Sequence, residues 1–180
     1  MKKVLVVSTS LRNESNSDTL AIAFLRGARE VGNETEYVTL QDKTISFCKG
    51  CNACQHGHKP CVIKDDAVEI AEKIKNADVV AFATPIYFYE MAGQMKTMLD
   101  RCYPIYAMGH NFKDVYLIAA SASPEEKAME GAIKGIEGWV ECFEGARLAG
   151  VVKGLGIEFA GDAFKNNDAL QIAYDMGKNV

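Results

Sequence analysis

The sequence predicts an α/β fold: a doubly wound, five-stranded parallel sheet with helices on both faces. Apolar runs alternate with segments of helical period along the whole chain, the pattern of strand-helix-strand units whose sheet is covered on both sides. Each crossover between parallel strands is expected to be right-handed, which makes a five-strand chain with helices on both faces doubly wound. A length of 180 residues with 48% hydrophobic composition suffices for one core, so residues 1–180 are expected to form a single domain.

The five expected strands are KKVLVVS (2–8), ETEYVTL (34–40), ADVVAFAT (77–84), KDVYLIAA (113–120) and ARLAGVVKG (146–154). Helical spacing recurs between them, at Leu20, Ala23, Phe24, Ala28 and Val31, at Val68, Ala71 and Ile74, and at Met91, Met95, Met98 and Leu99. Pro124, Glu125 and Glu126 mark a helix start after Ser123, because proline's fixed φ and acidic residues both suit a first turn. A closing helix is expected from about Asn167 to Met176, with Gly177 as its stop. Residues 41–64 carry no period, and this loop holds four of the six cysteines, Cys48, Cys51, Cys54 and Cys61.

A net charge of -4 and the lack of any Lys/Arg-rich run argue against nucleic acid as a partner. The N-terminal apolar run is too short for a signal peptide or a membrane span, so a cytoplasmic protein without membrane association is expected. In that reducing compartment the cysteines are expected to bind metal, to react or to be buried. Cys102 and Cys142, both placed on helices, are expected to be buried small hydrophobes.

Ligands of doubly wound sheets sit at the carboxyl ends of the strands, where strand order reverses. That rule singles out three loops. The first, STSLRNESNSDTL, offers Ser8, Thr9, Ser10, Ser15 and Ser17 hydroxyls, Asn16 and one guanidinium, Arg12, where a helix begins. Such a set suits a phosphate monoester, although Ser15, Asn16 or Ser17 could equally serve only as a helix cap. Neither GK[ST] nor GxGxxG is present, which argues for a phosphate kept whole. The second loop places Tyr87, Phe88 and Tyr89 directly after Pro85, where something flat or a partner subunit would cover them unless some pack under the next helix. The third, AASASPEE, has small residues that permit close approach.

With those residues in view a resemblance can be stated. TSLRNESNSDTL resembles the phosphate loop GSPRxxSNTxxL of the flavodoxin-like NAD(P)H-dependent FMN reductase family, with Thr9 and Leu11 where that family prefers Gly and Pro. TPIYF, GQMKTMLDR, the CxGCxxC and CVIKDD pair, and the tail GDAFKNNDALQIAYDMG are similar to the same family, especially its iron-sulfur flavoprotein branch. The resemblance implies strand order 2-1-3-4-5 and bound FMN, with Ser10, Arg12, Ser15, Asn16 and Ser17 around its phosphate. It places Pro85, Ile86, Tyr87 and Phe88 along the isoalloxazine, and Ser121 and Ala122 at its other edge. It further implies NADH or NADPH as electron donor, a small-molecule acceptor or redox protein as partner, and a homodimer or homotetramer. Tyr103, Ile105, Tyr106 and Met108 in RCYPIYAMGH would supply apolar contact surface.

Flavin chemistry at N5 requires no protein acid or base, and the sequence shows no Ser/His/Asp array, trusted carboxylate pair or HExxH. Asp65 and Asp66 are expected to start a helix, and Asp100 and Arg101 to be structural. The spacing C-x2-C-x2-C-x6-C matches the ligand count of a [4Fe-4S] cluster, whereas zinc held with help from His56 and His58, or free thiols, remain alternatives. A thioredoxin-type pair is disfavoured, since that CxxC opens a helix after a strand.

Overall fold

A computed structural model describes every residue except His58. Its strands are β1 (Lys3–Ser8), β2 (Glu34–Thr39), β3 (Val79–Tyr87), β4 (Glu90–Met91), β5 (Asp114–Ala120) and β6 (Arg147–Gly154). Its helices are α1 (Asn16–Glu30), α2 (Asp66–Asn76), α3 (Gly93–Arg101), α4 (Tyr103–Met108), α5 (Glu130–Glu141) and α6 (Asn167–Lys178). The five long strands lie in the order β2-β1-β3-β5-β6, and every pairing among them is parallel. The expected architecture and order therefore hold. The sixth strand, β4, is a two-residue return that pairs antiparallel with the end of β3.

Strand alternation divides the core into two layers. Leu5, Val7, Val80, Phe82, Val115 and Leu117 face α2, α3 and α5, against Ile70, Ile74, Met95, Met98 and Ile136. Val4, Val6, Val79, Ala81, Ala83 and Ile118 face α1 and α6, against Leu20, Phe24, Ala28 and Ala173. A one-residue slip of any central strand would exchange these layers, so register is fixed by the packing on both sides.

Three sequence expectations change. Ser123 does not start a helix: its Oγ accepts from Glu125 N (3.2 Å), but Glu125 is extended (φ -90°, ψ 130°). A short 3-10 turn at Glu126–Met129 then leads into α5 at Glu130. Cys142 is exposed at the end of α5, its thiol directed to the Gly138 carbonyl (3.4 Å), whereas Cys102 is buried as expected. Gly177 lies inside α6 rather than ending it, and its role is close approach. A Cβ there would stand 2.0 Å from the Phe24 carbonyl oxygen, and one on Gly27 would stand 2.0 Å from the Tyr174 carbonyl oxygen. The α1 and α6 backbones thus touch at a reciprocal pair of glycines, with Ala28 and Ala173 filling the seam.

Because the obstructing atoms are backbone, they cannot swing away. Gly177→Ala is expected to destabilise the chain by about 2 kcal/mol or more, seen as a lower urea midpoint at unchanged m-value. A variant as stable as the parent would show that the helices can separate without cost.

Candidate functional site

The carboxyl ends of β1, β3, β5 and β6 open onto a cavity of about 210 Å³. Its floor and one end come from the β1–α1 loop. Thr9 fixes the loop's departure from the sheet, with both its N–H and its hydroxyl donating to the Ala83 carbonyl (2.9 Å each). Ser15 caps α1, accepting from Asp18 N, and its hydroxyl is 2.9 Å from that of Ser17. Ser10, Ser15 and Ser17 are buried under the cavity rather than solvated. Three hydroxyls at the start of a 15-residue helix give a cradle for a doubly charged oxyanion, with Arg12 at its mouth.

Beneath this loop lies a carboxyl. The Ser8 hydroxyl donates to Asp18, and Tyr37 also bonds it. Burial raises the Asp18 pKa, only partly countered by its hydroxyl partners. Burial likewise lifts Tyr37 to about 12, with the Asp18 charge adding to the rise against the Ser8 hydrogen bond.

The second wall is Pro85, Ile86 and Tyr87 at the end of β3, and the third is Ala120 and Ala122 after β5. The β3 wall is braced by Thr84, whose hydroxyl donates to Pro85 O and accepts from Ala92 N (3.0 Å each). Beyond it, Tyr87 pairs with Glu90 across a two-residue turn in which Phe88 (φ 51°) and Tyr89 (φ 67°) are both left-handed. Such a primed turn normally takes Asn-Gly, and each aromatic residue bears about 1–2 kcal/mol of strain there. The expected aromatic run is therefore split, with Tyr87 on the wall and Phe88 fully exposed at the turn's tip.

Of the eleven residues expected around a cofactor, nine line the cavity: Ser10, Arg12, Ser15, Asn16, Ser17, Pro85, Ile86, Tyr87 and Ala122. Phe88 does not, and neither does Ser121, which is buried with its hydroxyl accepting from Ser123 N (3.1 Å). Asn16 borders the cavity but its amide is already engaged: Nδ2 donates to Phe159 O (2.9 Å) and Oδ1 accepts from Ala163 N (3.0 Å). Arg12 Nη1 donates to Glu158 O (2.8 Å). Both side chains hold the β6–α6 loop, which adds Ile157 and Glu158 to the lining. No site residue of this fourth wall was expected from the sequence.

The cysteine loop is fastened at both ends by one buried ion pair. Arg101, at the end of α3, grips Asp65 with two hydrogen bonds (2.6 and 2.8 Å) and also donates to Ser46 O (2.8 Å) and Ile63 O (3.0 Å). Asp65 in turn caps α2 through Ala67 N and accepts from Ser46 N, while Asp66 accepts from Thr44 N. Burial alone would raise the Asp65 carboxyl pKa; Arg101 and Ser46 outweigh it and bring it down to about 2.

Between these anchors Cys48 and Cys51 are exposed, Cys54 is buried on a single 3-10 turn, and Cys61 is half-buried. Among the described residues no three His, Cys, Asp or Glu side chains converge as metal ligands, and His58 lies outside those residues. Four thiols lie within fourteen residues, and the Arg101 Nε–H is buried without a hydrogen-bond partner among the described residues. The apolar stretch 103–108 is divided, with Ile105 buried and Tyr103 and Tyr106 exposed and stacked at 6.5 Å. Among the described residues no helix is long and apolar enough to cross a membrane.

Residues 2–136 match the model of a family described as NADPH-dependent FMN reductase. The iron-sulfur flavoprotein MJ1083 of Methanocaldococcus jannaschii is 40% identical over 57% of this chain and 53% of its own length. The chain thus spans about half the length of such relatives. An iron-sulfur flavoprotein of Methanosarcina thermophila is 31% identical over 77% of this chain and 72% of its own. The fold is shared with an azoreductase from Bacillus anthracis, with a TM-score of 0.75, 18% identity and full coverage of both chains.

Asp65→Asn keeps a helix cap but leaves the Arg101 charge buried and unpaired, and is expected to cost about 3 kcal/mol in a denaturant titration. The folded Asp65 pKa is depressed from 3.8, so its contribution is complete at neutral pH and lost as pH falls from about 4 to about 2. The stability of Asp65→Asn should accordingly fall less steeply across that window than the parent's; identical acid limbs would contradict the assignment.

Proposed function

The chain belongs to the NADPH-dependent FMN reductase family, and from that premise we propose that it is an FMN-dependent oxidoreductase, taking a hydride from NADH or NADPH and passing electrons to a small acceptor. The observation that carries this reading is the joining of a hydroxyl-lined anion cradle to a two-walled slot within one cavity. Ser10, Ser15 and Ser17 would hold the FMN phosphate at the start of α1, with Arg12 at the mouth neutralising its outer charge. Pro85, Ile86 and Tyr87 would flank the ring from one side and Ala120 and Ala122 from the other, while Asn16 keeps the β6–α6 loop in place as a fourth wall. When bound, the flavin supplies hydride acceptance at N5 and onward electron delivery. The protein's share is orientation and exclusion of water, in keeping with a cavity whose lining among the described residues includes no histidine.

A second reading is favoured by the buried Arg101 Nε–H, which has no hydrogen-bond partner among the described residues and whose side chain shares a small cavity with Cys61, together with the names of the archaeal relatives. In it, Cys48, Cys51, Cys54 and Cys61 hold a [4Fe-4S] cluster and the chain carries electrons between FMN and a redox protein. In both readings residues 1–180 act as one domain in the cytoplasm, as a homodimer or homotetramer, with the exposed Phe88, Tyr103 and Tyr106 available to a second copy.

FMN added to the chain is expected to lose fluorescence and to co-elute as a yellow band on gel filtration. Arg12→Ala should weaken that binding about tenfold or more, the worth of a charged hydrogen bond. Steady-state oxidation of NADH or NADPH with a quinone, free flavin or azo acceptor tests the enzyme reading. Retained FMN without turnover by either nucleotide would leave the carrier reading, and failure to bind FMN would remove both.

A further inference from the structure

Tyr87 reaches the cavity wall from a turn that is costly to form. Phe88 (φ 51°) and Tyr89 (φ 67°) are both left-handed there, without the glycine or asparagine that such a turn ordinarily takes. What stands against this turn is α5. A Cβ on Gly131, in the first turn of the helix, would stand 2.5 Å from the Tyr89 carbonyl oxygen and 3.0 Å from Glu90 Oε2. A Cβ on Gly135, one helical turn on, would stand 2.7 Å from Met91 Cε. Glu90 Oε1 accepts from Met91 N (2.8 Å), so the carboxylate is folded back between the turn and the helix. At Gly138, farther along the same face, a Cβ would meet nothing within 4 Å. Glycine is a poor helix former, and at 131 the structure gives the reason for it: a carbonyl fills the space of a side chain. Because that carbonyl is backbone, it cannot swing aside.

We propose that Gly131 is a positioning residue for the reaction. By admitting the Tyr89 carbonyl oxygen and the Glu90 carboxylate against α5, it fixes the turn at 87–90, and through the turn it sets where Tyr87 stands on the cavity wall. This rests on the FMN reading given above. The inner side of the return is held by the Thr84 hydroxyl, which accepts from Ala92 N, and its outer side by Gly131, so Tyr87 lies between two fixed points. Met91 is buried in the same core layer as Ala132 and Ile136, which ties the end of the return to α5. A side chain at 131 displaces the turn, and the wall with it, whereas one at 135 meets only the flexible end of Met91. Alignment of reacting groups tolerates little displacement: a shift of about 1 Å can cost about a hundredfold in rate.

The test uses the full chain loaded with FMN. It reads the visible circular dichroism of the bound flavin, the FMN dissociation constant by fluorescence quenching, and KM and kcat with NADH or NADPH and a quinone. Gly131→Ala is expected to alter the flavin dichroism and to lower kcat/KM about tenfold or more. Gly135→Ala should do so less and Gly138→Ala not at all, the last raising the urea midpoint because alanine is the better helix former. Parent-like flavin dichroism in Gly131→Ala, or the same change in Gly138→Ala, would overturn the proposal and leave the FMN reading intact. With a parent that turns over neither nucleotide, the dichroism decides. If Gly131→Ala fails to fold, Glu90→Ala takes its place: the residue is exposed, its loss frees the Met91 N–H and unbraces the turn, and dichroism equal to the parent's would be fatal. A parent that binds no FMN would instead remove the FMN reading and this inference with it.

Discussion

The constraint on which the structure depends is the position of β1 inside a parallel sheet, with its sequence neighbour β2 on one side and β3 on the other. The chain leaves β1 over one face through α1 and returns to β3 over the opposite face through α2. Loops that would otherwise lie side by side diverge at that point, and the cavity is the space between them. Because all five long strands run the same way, the loops after β1, β3, β5 and β6 converge on one edge. The chemistry-bearing residues can then be far apart in sequence while the packing that places them is that of an ordinary core.

A second constraint is local and electrostatic. Arg101 is buried against Asp65, whose charge offsets its own. The pair also reaches the backbone on both sides of the cysteine loop, at Ser46 and Ile63. A loop of this length needs no fastening simply to connect β2 to α2. The ends of the loop are thus fixed, while its middle carries a single 3-10 turn at Ala53–Gln55.

The five long strands and most of the cavity lining were legible in the sequence, because each rests on periodicity or on residue types gathered where a strand ends, whereas the sheet order came only from the family resemblance. What escaped is decided by contacts that periodicity does not carry. Gly177 reads as a helix stop until the Phe24 carbonyl is seen to occupy the space of its missing side chain. Ser123 and Pro124 resemble a helix start, yet Glu125 stays extended and delays α5 to Glu130. The β4 return was invisible because Phe88 and Tyr89 are poor residues for the left-handed turn they form. Asn16 lines the cavity as expected, but only its contacts reveal that both ends of its amide also hold the β6–α6 loop.

The two candidate sites share one stretch of backbone. From the wall at Pro85 the chain passes through the strained turn at 88–89, enters α3 at Gly93 and ends that helix at Arg101. The inner face of α3, formed by Met95, Met98 and Leu99, is buried, so the helix cannot slide on the sheet without disturbing the core. The cavity wall at Pro85 and the cysteine-loop anchor at Arg101 are two ends of one short stretch of chain. That common segment supplies a structural reason for this cavity and this loop to occur together in a single sequence.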